Sequence, residues 1–322
     1  MKKQAVRVLG AVLAAVLIST EAFALPNMLI PGGNTVGVKL FTDGLVVSGF
    51  TGGSAAKAAG LRKGDVIIEV DGEPLHTVAQ LQQQTDRDRL VLTVQRDGKE
   101  AEFCVSPRAT RDGQRLGLYL RDSMAGIGTV TYYNPVTGEF GALGHGVNET
   151  ETGTLLPMEA GVVVGSEVAE VTKGKRGEPG ELKGKFHVEE ILGELETNSS
   201  FGLFGVLTRP VPGRPMPVAS AGEIRTGDAV ILANVSGEEV KEYKIKIREL
   251  YPGNRENGRN MLLEVTDREL LEKTGGIVQG MSGSPIIQDG KLVGAVTHVL
   301  VNDPTRGYGI FIENMLDAAD KI

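Results

Sequence analysis

The chain has 322 residues, of which 41% are hydrophobic and 44 are glycine, and its formal net charge is −7. This length suffices for two domains with separate cores, and glycine between short aliphatic runs is typical of a mainly β protein. The acidic balance gives no support for nucleic-acid binding. Cys104 is the only cysteine, which excludes an intrachain disulfide bond, and its strand-like surroundings predict a buried thiol.

The first 24 residues have the composition of an export signal. Three basic residues precede an apolar run over residues 8–18, and Ala22-Phe23-Ala24 supplies the small residues of a cleavage site. The run is shorter than the ~20 residues of a membrane-spanning helix. Residues 1–24 are therefore predicted to be a signal peptide or an N-terminal membrane anchor that tethers the chain through residues 8–18. We expect export across the cytoplasmic membrane.

Residues 27–106 have the pattern of a small unit with several strands and two short helices. Asp43-Gly44 is predicted to be a turn between two strands, because this dipeptide favours hairpins. Glycine ends helices and threonine begins them. The predicted elements are strands at 36–40 and 45–47, a short helix closed by Gly60, a strand between Gly64-Asp65 and Asp71-Gly72, a helix over 78–84 capped by Thr77, and strands at 90–95 and 100–105.

The segment "GSAAKAAGLRKGDVIIEVDG" within this unit resembles a PDZ domain. Such a domain binds an extended peptide as an added strand between a strand and a helix. The resemblance places this groove between residues 36–40 and the helix that begins near Thr77. Its lining would include Gly37 and Val38, whose N–H groups would hold a terminal carboxylate, together with Leu40 and Val78. The ligand would be a partner's peptide or the chain itself; alternatively, the unit only packs against the remaining chain.

Residues 107–322 show short strands and turn signals, which favour β-barrels or a sandwich. One hairpin is predicted about Ser236-Gly237. Only the C-terminal segment has helical spacing, with an apolar face that is formed by Ile312, Met315, Leu316 and Ala319.

The sequence "GMSGSP", residues 280–285, combines little bulk with a poor propensity for regular structure. A tight turn here can direct backbone N–H groups into one small space beside the Ser282 hydroxyl. Acyl-transfer enzymes need such an arrangement, in which a nucleophile lies beside preorganised donors for the developing oxyanion. A glycine-rich turn without a chemical role is the alternative.

Two further residues complete a candidate catalytic set. His145 lies between glycines after a predicted strand, where a general base would be uncrowded. Asp267 could orient the imidazole and stabilise its charged form. His145 as a turn residue and Asp267 as a helix cap are the alternatives. Asp228, in "RTGDAV", is the second candidate for the acidic member.

The segments "GMSGSPI", "ALGHGV" and "VTHVLVNDPTRGYGIFIENML", downstream of a PDZ-like unit, are similar to the SpoIVB-type serine peptidases (stage IV sporulation protein B). The resemblance implies a mainly β fold, with a PDZ domain (27–106) followed by a chymotrypsin-like double β-barrel (107–322). It implies Ser282 as nucleophile, His145 as base and Asp267 as third member. The N–H groups of Gly280 and Ser282 would form the oxyanion hole.

The same resemblance gives expectations for specificity. Gly276 would lie at the floor of the primary pocket, and Ala295 and His298 would line its side; alternatively, His298 only ends a strand. Because no acidic residue occupies that floor, we expect no preference for cleavage after lysine or arginine. No cofactor is expected. A zinc site is not expected either, since His187 has no second histidine at helical spacing.

The resemblance also implies a biological role. The protein would be a sporulation endopeptidase in the space between mother cell and forespore that cleaves itself and a membrane-bound regulator. This cleavage would release an intramembrane protease and lead to activation of a late sigma factor. A non-catalytic, peptide-binding scaffold on a peptidase fold is the alternative, and reaction of Ser282 with a fluorophosphonate would distinguish the two.

Overall fold

The computed structural model describes residues 28–320, except 97, 111–112, 150–152 and 255–257. The predicted signal or anchor, residues 1–24, lies outside the described residues. Among those that are described, no helix is both long and apolar enough to span a bilayer.

The described chain is built mainly of strands. In chain order these are β1 (Met28–Pro31), β2 (Thr35–Phe50), β3 (Val66–Val70), β4 (Glu73–Pro74), β5 (Leu90–Arg96), β6 (Lys99–Val105), β7 (Arg108–Thr110), β8 (Gly113–Arg115), β9 (Leu118–Tyr133), β10 (Glu139–Ala142), β11 (Met158–Thr172), β12 (Glu181–Ser199), β13 (Gly202–Leu207), β14 (Met216–Pro217), β15 (Gly227–Asn234), β16 (Val240–Leu250), β17 (Met261–Val265), β18 (Pro285–Gln288), β19 (Lys291–Leu300) and β20 (Asp303–Phe311). The helices are α1 (Ala55–Ala58), α2 (Val78–Gln84), α3 (Arg268–Thr274) and α4 (Ile312–Ala319), with a 3-10 turn at Ala221–Glu223.

Six antiparallel strands close the first barrel. The pairings run from β2 to β9, β10, β13, β12 and β11, and β11 pairs with β2 again. Side chains alternate between the two faces of a strand, so every second residue points into the barrel. Val36, Val38 and Leu40 of β2 are buried in this way, in one apolar cluster with Phe140 and Leu203.

The second barrel closes in the order β15-β16-β17-β20-β19-β18. Its core contains Ile231, Ile245, Leu263 and Ile286. The hairpin predicted about Ser236-Gly237 joins β15 to β16. The predicted C-terminal helix is α4, in which Ile312, Met315 and Leu316 are buried. The mainly β fold with two chymotrypsin-like barrels is therefore confirmed.

Residues 45–120, which we call the inserted module, have a third core. Buried apolar side chains from α1, α2 and β3 to β6 form it, including Ile67, Leu75 and Leu90. Thr77 caps α2 as predicted: its hydroxyl accepts a hydrogen bond from the Gln80 amide at 3.2 Å, and the Gln80 side chain accepts one in return.

The inserted module interrupts the first barrel instead of preceding it. Strands β2 and β9 each contain 16 residues and pair through both units, with Gly37 opposite Ile127 in the barrel and Val47 opposite Leu120 in the module. The division predicted at residues 106 and 107 therefore does not follow the structure. Residues 35–42 belong to the barrel, and Leu116, Leu118 and Leu120 pack in the module.

Two local predictions were wrong. Asp43-Gly44 lies within the continuous strand β2, where the register shifts between Phe41 and Val46 as in a β-bulge. Gly44 has φ +106°, and a Cβ there would be 2.5 Å from the Ile67 carbonyl oxygen. The dipeptide thus bends one strand instead of joining two. Cys104 is exposed and lies beside the Arg89 guanidinium.

Candidate active site

The segment from Gly280 to Gly283 forms a tight turn that enters β18. Its Met281 side chain is fully buried in the core of the second barrel. Gly283 has φ +98°, and a Cβ there would come within 2.0 Å of the Thr129 carbonyl oxygen on β9. A side chain at position 283 would therefore separate the turn from the first barrel. The absence of bulk in "GMSGSP" follows from this close approach of two backbones.

Hydrogen bonds from β9 hold the carbonyl groups of this turn. The Thr129 amide donates to the Ser282 carbonyl oxygen at 3.0 Å, and the Thr129 hydroxyl donates to the Gly280 carbonyl oxygen at 2.8 Å. Thr131 binds the Gly283 carbonyl in the same way, at 2.8 Å. Across the described residues, no acceptor is found for the N–H groups of Gly280 and Ser282. These two amides, which the resemblance assigns to an oxyanion hole, are therefore available to donate to a ligand.

The Ser282 hydroxyl is half-buried and donates a hydrogen bond to the Thr297 carbonyl oxygen on β19 at 2.8 Å. Since the hydroxyl proton is directed to this carbonyl, it is not shared with an imidazole in the resting arrangement. The hydroxyl must turn away from this carbonyl before a base can accept its proton.

His145 lies in the loop that follows β10. The loop begins at Leu143 and Gly144, which have φ of +66° and +70°. A Cβ on Gly144 would be 3.0 Å from the Thr297 methyl group, so the loop lies directly against the second barrel. This contact places His145 of the first barrel close to β19, whose Thr297 carbonyl accepts the hydrogen bond from the Ser282 hydroxyl.

The His145 Nδ1 atom is 2.8 Å from the Gly146 carbonyl oxygen. Because a carbonyl only accepts, this contact places the proton on Nδ1 and leaves a lone pair on Nε2. Burial lowers the pKa of His145 below its ordinary value, and the Gly146 carbonyl opposes this shift. The ring is therefore neutral at neutral pH, with a nitrogen available as a base.

His298 is the aromatic neighbour of His145. The two ring centroids are 5.1 Å apart, and the rings are tilted by 40°. Burial, then repulsion from His145 in its protonated form and from Arg259, lower the pKa of His298 to about 4. Its Nδ1 atom is buried and has no hydrogen-bond partner in the described structure. His298 is thus a second neutral imidazole at the site, with unused hydrogen-bonding capacity.

One cavity of about 440 Å³ brings these groups together. It lies between the barrels and is lined by His145, Gly280, Ser282 and His298, among others. A hydroxyl, an imidazole and two amides thus face the same space, which is the combination that acyl transfer requires.

The acidic candidates lie elsewhere. Asp267 is the N-cap of α3, where its carboxylate accepts hydrogen bonds from the amides of Leu270 at 3.1 Å and Lys244 at 3.2 Å. Asp228 is exposed and lies 3.6 Å from the Lys246 ammonium group. Neither lines the cavity, and the Gly146 carbonyl takes the position at Nδ1 that was predicted for an aspartate. The helix cap, the alternative considered for Asp267, is what the structure shows.

Two of the predicted substrate-binding residues are also outside the cavity. Gly276 is buried beneath β20, and a Cβ there would be 2.1 Å from the Pro304 carbonyl oxygen. Ala295 is fully buried in an apolar cluster with Ile310. Of the three predicted residues, only His298 faces the cavity.

The residues that were predicted to line the PDZ groove lie in two separate places. Gly37, Val38 and Leu40 lie on a stretch of β2 that is paired on both edges, with β9 and with β11, so no peptide strand can be added there. Val38 and Leu40 instead line the active-site cavity. Val78 lines a separate cavity of about 410 Å³ between α2 and the start of β9. The strand that lies beside α2 is thus β9, which the sequence pattern did not indicate.

Two clusters of described residues place a histidine and two carboxylates within 4.8 Å of one another. They are Asp43, His76 and Glu159, which are all exposed, and Glu167, His187 and Glu238. Neither cluster lines the active-site cavity. In the second cluster, Glu167 is already 3.3 Å from the Lys185 ammonium group.

Comparison with known proteins gives two family matches. The model for the SpoIVB peptidase S55 family matches residues 112–316, and a PDZ domain model matches residues 46–96. No curated protein matches significantly. The active form of the Rv3671c protease from M. tuberculosis is 16% identical, over 62% of this chain and 74% of that chain, with a TM-score of 0.38. The HtrA-type protease AlgW with a decapeptide is 13% identical, over 66% and 54%, with a TM-score of 0.36.

Two barrels with a serine, a histidine and unpaired amides at their shared cavity define a serine peptidase of the double-barrel class. The family model spans more than half of the sequence, and the chain belongs to the SpoIVB peptidase S55 family. The inserted module is its PDZ domain.

Proposed function

We propose that this serine peptidase is an endopeptidase in which Ser282 is the nucleophile and His145 the general base. The observation that carries the proposal is the shared cavity of the hydroxyl, the imidazole and the amides of Gly280 and Ser282. A hydroxyl is a weak nucleophile until a base removes its proton, and the neutral His145 ring can do so. Among the described residues, no aspartate or glutamate lines the cavity to act as the base instead.

The geometry supports the following sequence of steps. Ser282 Oγ leaves the Thr297 carbonyl, transfers its proton to His145 Nε2 and attacks the substrate carbonyl carbon. The Gly280 and Ser282 amides hold the resulting oxyanion, and His145 then protonates the leaving amine as the peptide bond breaks. Water hydrolyses the acyl-enzyme by the reverse proton transfers. The Gly146 carbonyl keeps Nδ1 protonated and stabilises the imidazolium in each half-reaction.

Fluorophosphonate labelling and peptide cleavage by the purified protein test this proposal. Ser282→Ala is expected to abolish labelling and to lower the cleavage rate by up to about 10⁶-fold. Ser284→Ala is the matched control, because its hydroxyl is buried and has no hydrogen-bond partner within the described structure, two residues further along the same turn. This control should retain both activities. Labelling that persists in Ser282→Ala would refute the assignment.

We further propose that the enzyme is exported and acts between mother cell and forespore. Its substrates would be itself and a membrane-bound regulator, whose cleavage would release an intramembrane protease and activate a late sigma factor. The family and the signal-like residues 1–24 support this role. Deletion of the gene followed by complementation with Ser282→Ala would test it, since a catalytically dead copy should not restore the regulator's processing.

Peptide binding by the PDZ domain belongs to the same proposal. The 410 Å³ cavity is lined by Val78 and Leu81 of α2 and by Leu118 and Leu120 of β9, with Arg115 also in its wall. Beside α2, the described part of β9 pairs only with β2, so its other edge is open to an added strand. Arg115 supplies a positive charge for a terminal carboxylate. Titration with carboxyl-terminal and amidated forms of one peptide would show whether that charge is used.

A further inference from the structure

The wall of the active-site cavity that lies on the His145 side is apolar. Val38 and Leu40 of β2, Met124 of β9, Leu143 and Val147 form much of it, and all five belong to the first barrel. Of the described residues that line the cavity, none is an aspartate, glutamate, lysine or arginine. The two histidines in the wall have lowered pKa values and are neutral at neutral pH.

The position of this wall relative to the scissile bond follows from the chemistry. His145 must deliver its proton to the leaving amine, so the leaving part of the substrate lies on the His145 side of Ser282. The oxyanion amides and Ser282 come from the second barrel, whereas the apolar wall and His145 come from the first. The wall therefore faces the residues that follow the scissile bond, not those that precede it.

We propose that this cavity selects an apolar side chain at P1′, the residue directly after the scissile bond. The inference rests on the proposed roles of Ser282 and His145. A charged P1′ side chain would lose its hydration against Val38, Leu40 and Met124 without gaining a partner charge. An aliphatic side chain would instead remove apolar surface from water. Discrimination against aspartate or lysine at P1′ is expected to be about 10²-fold in kcat/KM.

Gly126 offers a way to alter this wall without disturbing the core. It is exposed, it pairs with Val38 across the β2–β9 ladder, and a Cβ built on it meets no described atom within 4 Å. Paired residues of antiparallel strands project to the same face of a sheet, so a side chain at 126 would lie beside Val38 in the cavity wall. Gly126→Lys and Gly126→Glu would place opposite charges at the same point.

The control is Gly222, in the short 3-10 turn of the chain. It is exposed and also has open space for a Cβ, but it does not line the cavity. Gly222→Lys and Gly222→Glu thus repeat the change in charge at a site where no effect on specificity is expected.

A peptide library that varies only P1′ tests the proposal, with kcat/KM measured for the wild type and the four variants. The wild type and both Gly222 variants should favour leucine, isoleucine, methionine or valine at P1′. Gly126→Lys should raise the relative rate for aspartate and glutamate by about tenfold, and Gly126→Glu should do so for lysine and arginine. A flat or charge-favouring wild-type profile, or a profile that both Gly126 variants leave unchanged, would overturn the inference.

Fluorophosphonate labelling in the same samples separates this failure from that of the proposed mechanism. Labelling at Ser282 with cleavage but no apolar P1′ preference overturns the specificity inference alone. Absence of both labelling and cleavage from the folded wild type overturns the mechanism and, with it, the inference.

Discussion

The two barrels contribute to the site in different ways. The second barrel is built from strands between residues 227 and 311 that close on themselves, and it presents Ser282 on a turn anchored by the fully buried Met281. The first barrel is interrupted between β2 and β9 by the PDZ domain, and it presents His145 and the apolar wall. Ser282, the proposed nucleophile, thus depends on one compact core, whereas the first barrel, which carries His145 and the apolar wall, shares strands β2 and β9 with the PDZ domain.

Strand β9 contributes to the PDZ cavity, to the active-site cavity and to the support of the serine turn. Its first residues, Leu118 and Leu120, line the PDZ cavity, its middle residue Met124 lines the active-site cavity, and Thr129 binds the serine turn. We therefore expect substitutions at the junction of the barrels to reduce catalysis more than equivalent substitutions elsewhere in the scaffold, and the following predictions test this from the largest expected effect to the smallest.

Among substitutions that leave Ser282 and His145 in place, Gly283→Ala should have the largest effect, because its Cβ would collide with the Thr129 carbonyl where the serine turn meets β9. We expect kcat/KM to fall by at least about 10²-fold as the turn is displaced, with a clear loss of stability. Gly290→Ala is the control, since Gly290 also has a positive φ, +74°, but open space around it. Equal losses of activity in the two variants would show that the barrel contact is not the cause.

Thr129→Val should have a smaller effect on the same junction. The substitution keeps the shape of the side chain but removes the donor to the Gly280 carbonyl, which we expect to reduce kcat/KM about tenfold and stability by about 1–3 kcal/mol. Thr93→Val removes a hydrogen bond of 2.8 Å to Glu69 within the PDZ domain. Thr93→Val should reduce stability without reducing kcat/KM. If it reduced kcat/KM as much as Thr129→Val does, the loss of activity could not be assigned to the junction.

Asp267 provides a test of the second barrel by itself. Asp267→Ala should reduce the free energy of unfolding by about 0.5–2 kcal/mol through loss of the α3 cap, while Asp267→Ser should retain most of it. In both, kcat/KM of the folded enzyme should stay within about threefold of the wild type. A loss near 10⁴-fold, the effect of removing a triad aspartate, would instead require Asp267 to reach His145 during catalysis.

The lowered pKa of His298 predicts a modest dependence of the free energy of unfolding on pH. Its folded-state pKa of about 4 lies below the imidazole value of about 6.5 expected in the unfolded chain. Between these values the unfolded state binds more protons than the folded state. Protonation of His298 therefore does not affect the free energy of unfolding above about pH 6.5 and lowers it progressively as the pH falls toward 4. Urea unfolding at pH 7 and pH 4.5 should show a smaller difference for His298→Gln than for the wild type. An unchanged difference would argue against the prediction.

Local features of the fold were predictable from the sequence, and long-range ones were not. The Thr77 cap and the hairpin at Ser236-Gly237 each depend on a few adjacent residues, and both are confirmed. Asp43-Gly44 has the same local chemistry in a hairpin turn and in a bulge, and only the partner strand distinguishes them. The PDZ groove was misplaced for a related reason, since nothing near residue 36 shows that β9 lies beside α2.

The residues of the candidate site also differ in whether neighbouring residues in the sequence indicate their role. Ser282, His145 and Gly280, which the sequence singled out, line one cavity. The local signal was the neighbouring glycines, which leave a serine or histidine side chain uncrowded, as a nucleophile and a base both require. The role of Asp267 was not predictable, since an aspartate before "RELLEK" serves equally as a cap or as a catalytic acid. The contribution of the Gly146 carbonyl had no sequence signal, because every residue carries a backbone carbonyl.

The rate of fluorophosphonate labelling as a function of pH, with the adduct located by mass spectrometry, tests the pairing of His145 and Ser282 most directly. We predict a single adduct on Ser282, an acidic limb at a lower pH than an ordinary histidine would give, because burial lowers the pKa of His145, and a loss of about 10³-fold or more in His145→Gln. An adduct on another residue, or labelling that His145→Gln leaves unchanged, would contradict this pairing.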